Sequence, residues 1–252
     1  MEEQFKVKTL GKALRVLECF NVHTPELGIT DISRKLKLQK SNVHDIISTF
    51  EQAGYISQNP HNGKYFLTVK MLEYSFVINE YFGYTRMAYD VVDKLSEKVH
   101  QITFFAIPQE TDVFYLHSAH PHERLAAFPY RTIAGEKCPM YCSALGKSML
   151  AFGEPELMKK LEEVKKIRFT PNTILSQEAL QKELIKVRQR GYSTDMGEHE
   201  YNLGAVAVPV LDRQGKLVAA ISIYSTCETI EKNMTEYASC LKEAAFEIRE
   251  RL

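Results

Sequence analysis

Residues 38–68 read Leu38-Gln39-Lys40-Ser41-Asn42-Val43-His44-Asp45-Ile46-Ile47-Ser48-Thr49-Phe50-Glu51-Gln52-Ala53-Gly54-Tyr55-Ile56-Ser57-Gln58-Asn59-Pro60-His61-Asn62-Gly63-Lys64-Tyr65-Phe66-Leu67-Thr68. Two hydrophobic periods follow each other here. Val43, Ile46, Ile47 and Phe50 fall at i, i+3, i+4 and i+7, a single apolar stripe of a helix that Gly54 ends. The opposite face carries Lys40, Ser41, Asn42, His44, Ser48 and Thr49. The β-prone runs Tyr55–Gln58 and Lys64–Thr68 then flank Asn62-Gly63, a strong short hairpin signal.

Working back toward the N-terminus, Leu10, Ala13, Leu14, Leu17 and Phe20 predict an amphipathic helix over residues 8–20, broken by residues 21–28 with Pro25. A second helix is expected over Thr30–Lys37, with Thr30 as its N-cap and Ile32 and Leu36 facing inward. Helix, helix, short turn, helix, hairpin is the layout of a winged helix-turn-helix. Its third helix would enter a DNA major groove while the wing lies along the backbone. Lys40 and Lys64 can neutralise phosphates, and Ser41, Asn42 and His44 can reach base edges or phosphates. Thr30 completes the candidate DNA-binding set.

Over its 252 residues the chain is balanced, with 32 basic and 32 acidic residues. That balance argues against a surface that coats nucleic acid or anionic membrane nonspecifically. From Gly28 to Lys70, however, Arg34, Lys35, Lys37, Lys40, Lys64 and Lys70 face only Asp31, Asp45 and Glu51, a local basic surplus. A solvated helical protein–protein module is the plainer alternative for the same segment. No apolar run approaches the ~20 residues of a membrane helix, and the acidic start Met1-Glu2-Glu3-Gln4 does not resemble a signal peptide. Five scattered cysteines (Cys19, Cys138, Cys142, Cys227, Cys240) argue for a reducing cytoplasm rather than a disulfide framework.

Beyond the hairpin, residues 69–82 are expected to form a linker helix with large apolar residues on several faces, suited to forming a dimer. Another helix is expected over Arg86–His100, then a hairpin of Ile102–Ile107 and Val113–Ser118. Helices are expected at Ala144–Phe152, Pro155–Val164 and Gln177–Arg190, the last capped by Ser176, followed by a strand over Tyr192–Asp195. A second hairpin, Ala205–Leu211 with Lys216–Tyr224, and a helix over Glu228–Arg251 close the chain. The fold class is therefore α+β: residues 1–68 a winged helix-turn-helix, 69–82 a linker helix, and 83–252 a second domain with a mainly antiparallel sheet.

The runs Thr9-Leu10-Gly11-Lys12-Ala13-Leu14-Arg15-Val16-Leu17-Glu18, Leu38-Gln39-Lys40-Ser41-Asn42-Val43-His44 and Gly54-Tyr55-Ile56 resemble the isocitrate lyase regulator (IclR) family of bacterial transcription factors. So do residues 143–151 (SALGKSMLA), Gly191-Tyr192 and Ala207-Val208-Pro209-Val210, so the resemblance spans roughly residues 8–250. Two departures stand in the recognition region: Gln39 where a proline is common and Asp45 where an arginine is common. The resemblance implies a DNA-binding regulator, not an enzyme, with a GAF-like C-terminal effector domain and no cofactor.

The best anion trap in the second half is the small-residue run Cys142–Gly146 opening a helix, where free N–H groups and the helix dipole favour a carboxylate. The resemblance places an effector against Ala144, Leu145 and Gly146, with Asp195, Ala205, Ser222 and Tyr224 from facing strands. Ala205 stands where a cysteine is frequent and Tyr224 where a second serine is frequent in small-acid-sensing members, which weakens glyoxylate or pyruvate as the signal. The plainer readings are helix–sheet packing for Gly146 and a satisfied strand hydroxyl for Ser222. Asp195, Glu198 and Glu200 read as a solvated loop with one ligand-contacting acid.

Cys138 and Cys142, with His117, His120 and His122 upstream, have the residue types of a metal or redox site, but their spacing matches no usual zinc pattern. A cysteine enzyme built on either would need a histidine brought alongside by the fold. The expected whole is a cytoplasmic homodimer or homotetramer on a palindromic operator in double-stranded DNA, modulated by a small organic acid, with no membrane partner.

Overall fold

The computed structural model describes residues 5–122 and 133–252. The chain divides into two compact units, Met1–Phe82 and Gly83–Leu252.

The first unit runs α1 (Lys8–Leu17), β1 (Glu26–Leu27), α2 (Ile29–Leu36), α3 (Lys40–Gln52), β2 (Ile56–Gln58), β3 (Tyr65–Leu67) and α4 (Lys70–Phe82). Its core is built from Val16, Cys19, Phe20, Ile32, Val43, Ile47, Ile56 and Tyr65, with Ile46 and Phe50 partly covered. The apolar stripe of α3 thus does what its spacing demands. The β2–β3 turn is closed by Asn59 N–H donating to Lys64 O (2.7 Å) and Gly63 N–H to Asn59 O (2.9 Å), with Gly63 at φ +68°. The Glu26 carboxylate accepts from Asn59 Nδ2 at 2.9 Å and Asn62 Nδ2 at 2.8 Å. This ties the turn to β1, a short third strand ordered β1-β3-β2 that the break assigned to residues 21–28 did not anticipate.

Two expectations are corrected here. Thr30 is not the N-cap of α2: Gly28 holds that place in extended backbone and donates its N–H to the Asp31 carboxylate at 3.2 Å, so Thr30 is an exposed second residue of the helix. α1 does not bury Leu10 and Leu14, which stay 56% and 41% exposed; Gly11, Val16 and Cys19 turn inward instead, together with Phe20, the stripe residue that is buried as expected. Gly11 lies under the Phe5 ring, where an added Cβ would stand 2.3 Å from a ring carbon.

The base of the wing is bonded to the start of α4. Thr68 Oγ1 donates to Gly54 O (2.6 Å), Lys70 Nζ donates to Ala53 O (2.7 Å) and lies 4.5 Å over the Tyr55 ring, and Tyr55 stacks on Tyr74 at 6.2 Å.

The second unit begins with a π-helical turn, Thr85–Tyr89, leading into α5 (Asp90–Val99). Then follow β4 (Ile102–Gln109), β5 (Asp112–Ala119), β6 (Lys137–Pro139), a 3₁₀ turn (Met140–Cys142), α6 (Ala144–Phe152), α7 (Pro155–Glu162), α8 (Gln177–Arg190), β7 (Ser193–Met196), β8 (Leu203–Leu211), β9 (Leu217–Thr226) and α9 (Cys227–Glu250). The six strands form one antiparallel sheet ordered β6-β5-β4-β9-β8-β7. Strand alternation sends Phe105, Val206, Val208, Val210, Ile221 and Ile223 to one face, against α5 and α9. Phe104, Ala106, Ala205, Ala207 and Ala220 go to the other, against α6 and α8. Arg251 fastens the end of α9 to α5 through the Asp90 carboxylate, which it holds down at about 2. Among the described residues no helix is long and apolar enough to cross a membrane.

Candidate nucleic-acid interface and ligand cavity

Lys40, Ser41, Asn42 and His44 are exposed on the first turns of α3, and Lys64 is exposed on the wing. No acid lies in the first turn of α3, so its N-terminal amides and Lys40 present a positive end to a phosphate. Asp45 is the exception on this face: it sits 3.8 Å from His44 Nδ1 and is 81% exposed.

In the second unit, register gathers residues far apart in sequence. Asp195 pairs with Ala205, Ala205 with Tyr224, and Tyr224 with Ile102, a row across four strands. The next row on the same face is Ser193, Ala207, Ser222 and Phe104. The start of α6 covers these rows, and between them lies a cavity of ≈ 240 Å³. Six of the seven candidate residues line it: Ala144, Leu145, Asp195, Ala205, Ser222 and Tyr224.

Gly146 does not line the cavity. Its N–H is taken by the N-cap Ser143 Oγ at 3.1 Å, and a Cβ there would lie 2.2 Å from Met140 Cα, so it serves the close packing of α6 on the 3₁₀ turn. The amides of Ala144 and Leu145 precede the first helical hydrogen bond and remain the dipole end at the cavity.

The Ser222 hydroxyl is 1% exposed and finds no hydrogen-bond partner among the described residues. A buried hydroxyl in that state costs free energy until something fills its valence. Asp195, buried in the wall of the same cavity, accepts Glu198 N–H at 2.7 Å. Burial, with the nearby Glu198 carboxylate, pushes the Asp195 carboxyl up to about 7 despite that bond and the Lys147 ammonium. Glu198 corrects the reading of a solvated acidic loop: it is 7% exposed and ion-paired with the fully buried Lys147 of α6. Thr173 Oγ1 donates to Glu198 O at 2.7 Å and Thr170 Oγ1 to Gly197 O at 2.6 Å, fixing this loop under the cavity.

The β4–β5 and β9 part of the wall is aromatic. Phe104 lies 5.3 Å from Tyr115 edge-on and 5.6 Å from Tyr224, whose hydroxyl donates to Glu200 at 3.1 Å. Burial and Glu200 raise the Tyr224 phenol well above its ordinary range, so it stays a neutral donor. His199, Cys138 and Lys137 also line the cavity; they lie outside the recognised motifs, and only strand pairing and the β7–β8 turn bring them in. His117 pairs with Asp93 at 2.7 Å and His122 with Glu97, and among the described residues no three potential ligands gather as a metal site.

The comparisons with known proteins cover the whole molecule. The IclR helix-turn-helix domain matches residues 9–60, and the bacterial transcriptional regulator IclR C-terminal domain matches residues 84–250. The Escherichia coli K12 regulator XynR is 34% identical over 226 residues, covering 89% of this chain and 88% of its own. The Thermotoga maritima IclR crystal structure superposes with a TM-score of 0.72 at 28% identity over 97% of this chain and 98% of that one. A Microbacterium hydrocarbonoxydans IclR homolog complexed with 4-hydroxybenzoate superposes with a TM-score of 0.83 at 24% identity, covering 96% and 98%. With two matched domains in the order its helices and sheet require, the chain belongs to the IclR family of DNA-binding transcriptional regulators.

Proposed function

We propose that the protein binds a palindromic operator as a homodimer or a dimer of dimers and senses a small organic acid in the second-unit cavity, without turning it over. The observation that carries the ligand is the unpartnered Ser222 hydroxyl, buried in the wall of the cavity that Asp195 and the first turn of α6 also line. A carboxylate there would accept from Ser222 and the Ala144 and Leu145 amides, and its body would lie on Phe104, Tyr115 and Tyr224. The 4-hydroxybenzoate held by the Microbacterium homolog has that shape, an acid on a flat ring. DNA contacts fall to Lys40, Ser41, Asn42, His44 and Lys64, with the exposed Thr30 beside them. Work on DNA supports a cytoplasmic location.

The test is a thermal-shift screen of organic acids, 4-hydroxybenzoate included, on the full chain. A ligand of the cavity raises the midpoint as its concentration exceeds its dissociation constant. The gain is expected to vanish in Ser222→Ala and Asp195→Ala; an undiminished gain in both would sink the assignment. In gel shifts with DNA upstream of the protein's own gene, Ser41→Ala with His44→Ala abolishes the complex. Unchanged binding and salt dependence would remove α3 from the groove.

A further inference from the structure

Asp45 is an acid on a face otherwise suited to DNA, and the fold gives it no structural task. Ser41, Asp45, Ser48 and Gln52 fall at i, i+4, i+7 and i+11 of α3, the stripe directly opposite the buried Val43 and Ile47. Asp45 stands in the second turn of that stripe, with its side chain 81% exposed. It lies beyond the first turn, so it does not complement the positive end of the helix. Its neighbours at i−4, i−3, i+3 and i+4 are Ser41, Asn42, Ser48 and Thr49, none of them basic, so no ion pair runs along the helix surface. Thr49 Oγ1 donates to the Asp45 backbone carbonyl at 2.8 Å rather than to its carboxylate. Among the described residues the carboxylate's ionic contact is His44 Nδ1, 3.8 Å away on the same exposed surface.

Beside phosphates such a carboxylate is repelled, so in the groove it is tolerated only where a donor meets it. The major groove offers amine donors on cytosine N4 and adenine N6, and the adenine amine stands next to the N7 acceptor, which repels an acid. Guanine presents acceptors there, and thymine an acceptor and a methyl group. Cytosine N4 is therefore the partner that matches a group able only to accept. We infer that Asp45 is a specificity-determining residue, whose carboxylate accepts from the N4 amine of one cytosine in each operator half-site and rejects guanine and thymine at that place. Lys40 and Lys64 add affinity for any duplex; Asp45 subtracts it from every duplex but the matching one. The inference rests on the assignment of α3 to the groove.

The test is selection from a pool of random-sequence duplexes by the full chain, run with the wild type, Asp45→Ala, Asp45→Arg and the double variant Ser41→Ala with His44→Ala. Position 45 is exposed, so its variants should keep the wild-type thermal midpoint. The wild type should select a cytosine at one position of each half-site, and inverting that pair to guanine should weaken its binding about tenfold or more. Asp45→Ala should bind the two duplexes within about twofold of each other, and Asp45→Arg should prefer the guanine, whose O6 and N7 accept from its guanidinium. If Asp45→Ala keeps the wild-type preference at every position, or the preference that depends on Asp45 is for another base, the inference is overturned. The double variant then separates the two readings. If it changes or abolishes selection while Asp45→Ala does not, α3 stays in the groove and Asp45 alone is excluded. If it too selects as the wild type does, α3 does not read DNA and both readings fall.

Discussion

Asp195 and Gly146 show how single residues divide the work of the second unit. Asp195 keeps its proton in the fold up to about 7, whereas an unfolded aspartate releases it near ~3.9. Its support of the fold is therefore complete below pH ~4 and is lost as pH rises through 7. The same titration predicts that a carboxylate ligand binds progressively more weakly from pH 6 to 8, because an ionised Asp195 repels it, and that Asp195→Asn flattens this profile in calorimetry. Gly146→Ala should destabilise the chain by about 1–3 kcal/mol in urea unfolding, since its methyl collides with Met140 backbone rather than with a movable side chain. Asp195 and Ser222 are legible through the family resemblance, whose motifs anchor their positions, and not through strand alternation. His199 is not, and Cys138 is legible only as a metal, redox or nucleophile candidate: a turn and a three-residue strand carry no period, and only the sheet's register brings both to this cavity.

At the scale of elements, the polar path from α6 to the β7–β8 turn and the uncovered side of α4 carry the most consequence. Replacing Lys147 with Met leaves Glu198 buried without its counter-ion beside Asp195, and about 3–5 kcal/mol of stability should be lost, most of it regained when Glu198 is changed to Met as well. None of the residues of α4 is buried, and Leu72, Phe76, Val77, Ile78 and Tyr81 are all at least half exposed. Val7, Leu10 and Leu14 leave a second apolar edge on α1. Contiguous exposure on this scale marks an interface, and the proposed dimer covers it. Phe76→Glu with Tyr81→Glu should turn the protein monomeric in sedimentation and weaken operator binding. The existence of each long element was readable from its period, including α3, α8 and the β8–β9 hairpin. The inward side of α1 was not, because Leu10 and Leu14 look like core until a partner surface is considered, and β1 is too short to alternate at all.

The molecule as a whole is electrically neutral, yet its proposed DNA-reading face carries Lys40 on an acid-free helix start and Lys64 on the wing. Affinity for DNA should therefore fall steeply with salt, and Lys40→Ala or Lys64→Ala should each lower the slope by about one per half-site in titrations from low to moderate salt. A neutral body with a small charged tip depends on paired half-sites for grip, so the dimer and the groove contacts must fail together. The bonds joining Tyr55, Lys70 and Tyr74 at the root of the wing give this arrangement a mechanical ratio. α4, 13 residues and thus about 20 Å long, is gripped at its first turns by Tyr55 and the carbonyl of Ala53. Pushing its far end sideways by about 2 Å turns the gripped head by roughly 6°, by simple lever geometry on the helix rise. A signal carried along this helix would reach the DNA as an angle rather than as a reshaped surface.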